Sequence, residues 1–369
     1  YIIGGRELVG AANVRLPNSA LSWETTRQFN AGVDLALFNS RLSVTFDYYT
    51  KNTQDLLANL PLPGYTGFGG ILANSGEYQI QGVELTLGGD VVRSSNFRWT
   101  SSANVSYNQN EILDLPENRN PSFVGGSFFP NAGNRTAGGI SRWEEGGAFG
   151  SFYGFVFDGL FQTQEEVDAL DQSAVGGSRL GGLKYRDLNN DGIITNDDDR
   201  QYIGSGIPDY IFGWNNTLSY KNWELNVLIN GTTGNKVVNG INSLLLFPSG
   251  ETNLRAETIN YWQGPNTSNT IPRPDASAPL PVFSTFFVED GSFLRVRNIA
   301  LGYTLPNGLL GQAVSQARIF ASATNLLTFT NYSGFDPEVD ANNNGVIPGV
   351  DSDSYPTNKT YRIGINITF

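Results

Sequence analysis

The segment 358–369 constrains the fold more than any other part of the chain. Tyr361, Ile363, Ile365, Ile367 and Phe369 alternate with Thr360, Arg362, Gly364, Asn366 and Thr368. Successive side chains of a strand point to opposite faces, so this is one strand with an apolar side and a polar side. Two settings use such a strand. One is a soluble β-sandwich. The other is the wall of an outer-membrane barrel, where the apolar side meets lipid, the polar side meets the lumen and an aromatic sits near the interface.

The same alternation marks eight earlier stretches, at 23–38, 41–57, 75–92, 97–113, 209–220, 223–238, 288–305 and 316–330. In the second, Leu42, Val44, Phe46 and Tyr48 oppose Arg41, Ser43, Thr45 and Asp47. In the fourth, Phe97, Trp99, Ala103, Val105 and Tyr107 oppose Arg98, Thr100, Ser102, Asn104 and Ser106. Turns such as Asn39-Ser40 and Lys221-Asn222 join neighbouring stretches as hairpins. These short joints alternate with the long segments 58–74, 114–208, 239–287 and 331–357. A sandwich gives more even spacing. Short turns at one end and long loops at the other suit an outer-membrane barrel. If the last strand runs down into the periplasm, the sense of every other strand follows. Segment 114–208 then begins and ends outside the cell and holds an even number of crossings, the simplest being none. The aromatic run 148–161 is therefore expected in an extracellular elaboration rather than in the wall. Bacterial barrels have an even strand count and no open edge in lipid, so nine strands imply further wall beyond these residues.

Composition removes other classes. His and Cys are absent, which excludes the usual general base, Ser-His triads, imidazole and thiolate ligands and disulfides. The adjacent acids Glu144-Glu145 and Glu165-Glu166 read as solvated faces. Gly67-Phe68-Gly69-Gly70 lacks the Lys of a phosphate loop. No enzyme is expected. A net charge of −12 disfavours nucleic acid. No apolar run is long enough for a membrane helix, which does not bear on a barrel. Met is absent too, as expected of a processed or partial chain. Residues 163–170 read as a short capped helix.

One stretch carries metal chemistry. Residues 187–198 follow the pattern D-x-N-x-D-G-x-I and end in acids. Asp187, Asn189, Asp191, the Ile193 carbonyl, Thr195 and Asp198 supply the oxygen donors that Ca²⁺ requires, and Gly192 permits the sharp turn. The competing reading is an acidic, solvated turn. The final ligand is open among Asp197, Asp198 and Asp199. The expected role is a structural staple on a long loop. Loop 340–352, with Asp340, Asn342, Asn343, Asn344, Asp351 and the adjoining Asp353, is a poorer second candidate.

Several runs resemble SusC/RagA-type TonB-dependent outer-membrane transporters. They include Trp23-Glu24-Thr25-Thr26 with Asn30 and Gly32, Asp47-Tyr48-Tyr49 with Asp55-Leu56-Leu57, and Lys184-Tyr185-Arg186-Asp187 leading into the acidic loop. Others are Ser292-Phe293-Leu294-Arg295-Val296-Arg297-Asn298, Asn325-Leu326-Leu327 and Gly334-Phe335-Asp336-Pro337-Glu338. The resemblance implies an all-β fold, the C-terminal portion of an antiparallel transmembrane barrel of about 22 strands with long extracellular loops. It implies import of glycan or peptide fragments, a SusD-like surface lipoprotein as partner, and energy from TonB through a plug and TonB box that these residues do not include. Arg200 falls one place later than in the family pattern, which leaves Asp198 in question as the closing ligand. The alternative is a secreted, Ca²⁺-stabilised β-rich adhesin or glycan-binding protein.

Overall fold

The computed structural model describes residues 2–3, 6–7, 16–116, 121–125, 139–247, 253–306, 309–310, 313–339, 347–352 and 354–369. Its largest element is a nine-stranded antiparallel meander. The strands are β1 (Thr25–Leu37), β2 (Leu42–Gln54), β3 (Glu77–Arg93), β4 (Phe97–Asp114), β5 (Tyr210–Tyr220), β6 (Trp223–Thr233), β7 (Phe293–Thr304), β8 (Gln316–Thr330) and β9 (Thr360–Thr368). Each pairs with its neighbours in sequence, so β1 and β9 are the two edges.

Register places like beside like. Leu35, Val44, Leu87, Ala103, Trp214, Ile229, Val296 and Leu327 form one apolar row across eight strands. Most of this face is open: Val33 is 53% exposed, Ile363 85% and Phe369 86%. A soluble sandwich would have to bury such a face against a second sheet. Aromatics mark its two margins. Phe97, Tyr220, Trp223 and Tyr303 lie side by side next to the short turns, with the Trp223 and Tyr303 rings 4.7 Å apart. Tyr48, Tyr107 and Tyr210 lie towards the long connections, the last two 5.1 Å apart. Ten residue steps separate Phe97 from Tyr107. At about 3.3 Å per residue and a tilt of about 40°, that is a rise of about 25 Å, the height of a barrel's apolar band.

The strand ends correct the sequence reading in three places. Gln54 ends β2 because Asp55 takes a left-handed φ of 59°, and Leu57–Pro61 pairs instead with Gly70–Asn74. The stretch 58–74, expected as loop, is therefore largely a hairpin. Thr233 ends β6 at Gly234, whose φ is 93°. Beyond it, Lys236–Asn239 pairs antiparallel with Val288–Asp290 and parallel with Val350–Asp351. Likewise β7 begins only at Phe293, after Gly291 donates its N–H to the Asn235 carbonyl at 3.0 Å.

The main hydrophobic core lies outside the sheet. Phe152, Phe155, Leu160, Phe283, Phe287, Ile347 and Val350 belong to a buried cluster to which no strand of the meander contributes. It draws on the long connections 139–206, 236–247, 262–288 and 347–350. Within it, Ser151–Phe155 pairs with Arg200–Ser205, and Phe157–Leu160 with Leu183–Tyr185. The aromatic run 148–161 thus packs in this loop body. Helix α1 (Gln164–Ala169) is capped by Thr163, whose side chain accepts the Glu166 N–H. Helix α2 (Gly240–Leu245) is capped by Asn239.

Candidate functional site

The inner face of the meander is the mirror of the apolar one. Asp34, Thr45, Thr86, Asn104, Gly213, Asn230, Arg295 and Thr328 form a polar row across the same eight strands. Thr45 donates its hydroxyl to Asp34 at 2.7 Å. Tyr49 donates to Asn108 over Gly82, where a Cβ would lie 2.8 Å from both side-chain oxygens. Side chains that bond along such a face offer hydroxyl, amide and carboxylate groups to a solute.

At one end of this row the loops are tied to the wall. Arg295 is 1% exposed. Its guanidinium donates to Thr328 at 2.9 Å, to Glu338 at 2.7 Å and to Asp336 at 2.5 Å. Asp336 is itself buried and also accepts the Thr357 hydroxyl and the Glu338 N–H. Burial raises the Asp336 pKa, but the bonds from Thr357, the Glu338 amide and Arg295 outweigh it and hold the carboxyl below its ordinary range. Arg297, two residues on and so on the same face, adds a second cation and donates to Glu338 at 2.6 Å. Two basic residues of β7 thus hold Asp336 and Glu338, and through Asp336 also Thr357, against the polar face. The sequence shows these residues within family-like runs, but alternation alone marks Arg295 only as lumen-facing.

A second set ties the loops to each other. Glu289 accepts Asn239 and the Ser333 hydroxyl, both at 2.8 Å, and the Ser333 N–H at 2.7 Å. Tyr332 donates to the fully buried Asp351 at 2.6 Å. Burial first, then that bond, raises the Tyr332 pKa well above the usual phenol range. Asp351 is thus engaged by a phenol. Asp340, Asn342, Asn343, Asn344 and Asp353 lie outside the described residues.

The acidic loop is compact. Asp187 accepts the N–H groups of Asn190 and Gly192, each at 2.7 Å. Asn189 donates to Asp191 at 2.9 Å, and Asp191 accepts the Ile193 N–H at 2.8 Å. Thr195 donates to Asp198 at 3.0 Å. The acid that returns into the loop is Asp199, fully buried, which accepts Leu188 N–H at 2.9 Å and Thr195 N–H at 2.7 Å. Asp198 stays exposed. Among the described residues no three His, Cys, Asp or Glu side chains converge as a metal cluster. The candidate ligands are instead a mixed set of carboxylate, amide and carbonyl oxygens, which is the donor type that Ca²⁺ takes.

A model of the TonB dependent receptor-like β-barrel family matches residues 4–230. The chain belongs to that family. It is therefore outer-membrane barrel wall, and the open apolar face is its lipid face. It is 36% identical over 377 residues to TonB-dependent receptor P26 of Formosa agariphila, covering 100% of this chain and 37% of that protein. It is 26% identical over 361 residues to TonB-dependent receptor SusC of Bacteroides thetaiotaomicron, covering 95% of this chain and 32% of SusC. The RagAB peptide transporter structure superposes with a TM-score of 0.75 at 29% identity, covering 95% of this chain and 36% of that one. The chain thus spans about a third of the length of these relatives. These relatives are named as receptors and transporters.

Proposed function

We propose that this chain is the C-terminal wall of an importer of SusC/RagA type that carries glycan or peptide fragments across the outer membrane. The observation that carries the reading is the two-faced meander: apolar outside, polar inside, superposing on a peptide transporter. Its role is passage rather than chemistry on the substrate. Energy would come from TonB through a plug region outside these residues. A SusD-like lipoprotein would cap the side bearing the loop body, which on this reading is extracellular. Residues 187–199 would hold a structural Ca²⁺, with Asp187, Asn189, Asp191 and the Ile193 carbonyl as ligands and Asp199 ordering the loop.

Deleting the gene in the source bacterium and measuring uptake of labelled oligosaccharides and oligopeptides tests the reading. Loss of uptake of one class, matched by loss on removing TonB, is expected. Uptake of both classes unchanged in the deletion strain would sink it.

A further inference from the structure

Strand β4 outruns its partner. Pairing with β5 stops at Tyr107 and Tyr210, yet β4 continues to Asp114. The space beside it is filled by two loop segments. Ile112 N–H donates to Gly147 at 2.8 Å, and the Asn108 N–H donates to the Asp209 carbonyl at 3.4 Å. Between them lies a cavity of ≈ 420 Å³, lined by both faces of β4. That size is within the range of small-molecule sites.

The outer face of this cavity has an unusual lining. Gln79 pairs with Glu111, and Gln81 with Gln109, in a two-by-two block. The next outward pair below the block is Val83 with Tyr107, in the aromatic margin of the lipid band. The block begins two residues past Tyr107, about 5 Å above that margin for a tilted strand. Asp209, from the segment leading into β5, also lines the cavity. Gln79, Gln81, Glu111 and Asp209 make no side-chain hydrogen bond among the described residues, whereas Asn108 and Asn110 are already bonded to Tyr49 and the Phe149 N–H. Among the described residues, no Lys or Arg lines the cavity. Two carboxylates without a cation repel a phosphate, so an anionic headgroup is disfavoured. Amides and carboxylates together match groups that both donate and accept, which are sugar hydroxyls.

We propose that this cavity is a saccharide site at the outer-leaflet boundary, taking the neutral sugar of a glycolipid in the leaflet or of a soluble oligosaccharide. It rests on the orientation given above, with the loop body outside.

The test uses the full-length protein in nanodiscs containing monogalactosyldiacylglycerol or the anionic phosphatidylglycerol, with bound lipid read by native mass spectrometry. The galactolipid is expected to be retained and the phospholipid not. Gln79→Leu with Gln81→Leu should weaken retention at least about tenfold, losing two amide partners. Glu111→Gln, which keeps hydrogen-bonding capacity, should stay within about threefold. Displacement by a soluble galactodisaccharide assigns the sugar to solution, and failure to displace assigns it to the leaflet; both support the site. Equal retention of the two lipids, or galactolipid retention unchanged in the double variant, overturns it. Labelling Glu111→Cys on intact cells with a membrane-impermeant maleimide, read as the gain over the unsubstituted protein, checks orientation separately.

Discussion

Replacing Asp336 by Ala leaves Arg295 buried with half of its counter-charge. Both side chains are nearly inaccessible, at 1% and 6%, so water cannot compensate. Removing one partner of a buried pair costs about 3–5 kcal/mol. Glu338 remains on the guanidinium, so the lower end applies, about 3 kcal/mol or roughly a hundredfold in the local opening equilibrium. The loss should be local, because the wall strands hold each other without Asp336. Hydrogen exchange on the full-length protein in detergent reads this directly. The informative amide is Ser333, which donates to Glu289 and not to the altered side chain. Its exchange should quicken about a hundredfold, while amides of β5 and β6 stay unchanged. Less than a threefold change at Ser333, or uniform loss across the sheet, refutes the clamp. The pH dependence has a definite sign. The folded Asp336 pKa is depressed, so its contribution is present above the unfolded value. It fades as pH falls from that value to the lower folded one, and wild-type Ser333 should lose protection in that acid window.

Leu87→Arg, on the lipid face of β3 midway between the aromatic margins, should destabilise refolding into lipid vesicles by about 2–4 kcal/mol, whereas Thr86→Arg on the polar face should cost under about 1; equal costs would mean the faces are misassigned. Chelation with EDTA should accelerate amide exchange across 187–199, and unchanged exchange removes Ca²⁺ from the loop. Asp199→Ala should open the same loop even with Ca²⁺ present, because two amides lose a buried acceptor at about 1–3 kcal/mol each, and faster trypsin cleavage after Arg186 reports it. Tyr332→Phe should cost about 1–3 kcal/mol by stripping the buried Asp351 of its donor, seen as faster exchange near Val350; wild-type exchange there would contradict the assignment.

Much of the wall is legible because a wall residue has only two environments. Period-two alternation at Phe97–Tyr107 or Tyr361–Phe369 reports lipid or lumen without reference to any distant residue. The misplaced ends have a local cause that alternation does not register: Asp55 and Gly234 leave the extended region while their neighbours keep alternating. The loop body is less legible because its pairs are distant. Val238 meets Val350 in parallel, across more than a hundred residues, and nothing at either position announces the other. At the acidic loop the composition was readable but not the choice of acid. Asp198 and Asp199 are alike in sequence, and only the burial of Asp199 separates them. Arg295 illustrates the same gap. A polar residue on the inner face is expected, but its complete enclosure depends on Asp336 and Thr357 arriving from elsewhere.

The three-stranded strip formed by Lys236–Asn239, Val288–Asp290 and Val350–Asp351 has a mechanical consequence. Its members leave β6, enter β7 and lie between β8 and β9, so three legs of the wall share one tabletop. A twist applied to any one hairpin is borne by all three, and the connections shear together or not at all. A single residue added between Thr233 and Lys236 would shift the register of the whole top against its legs.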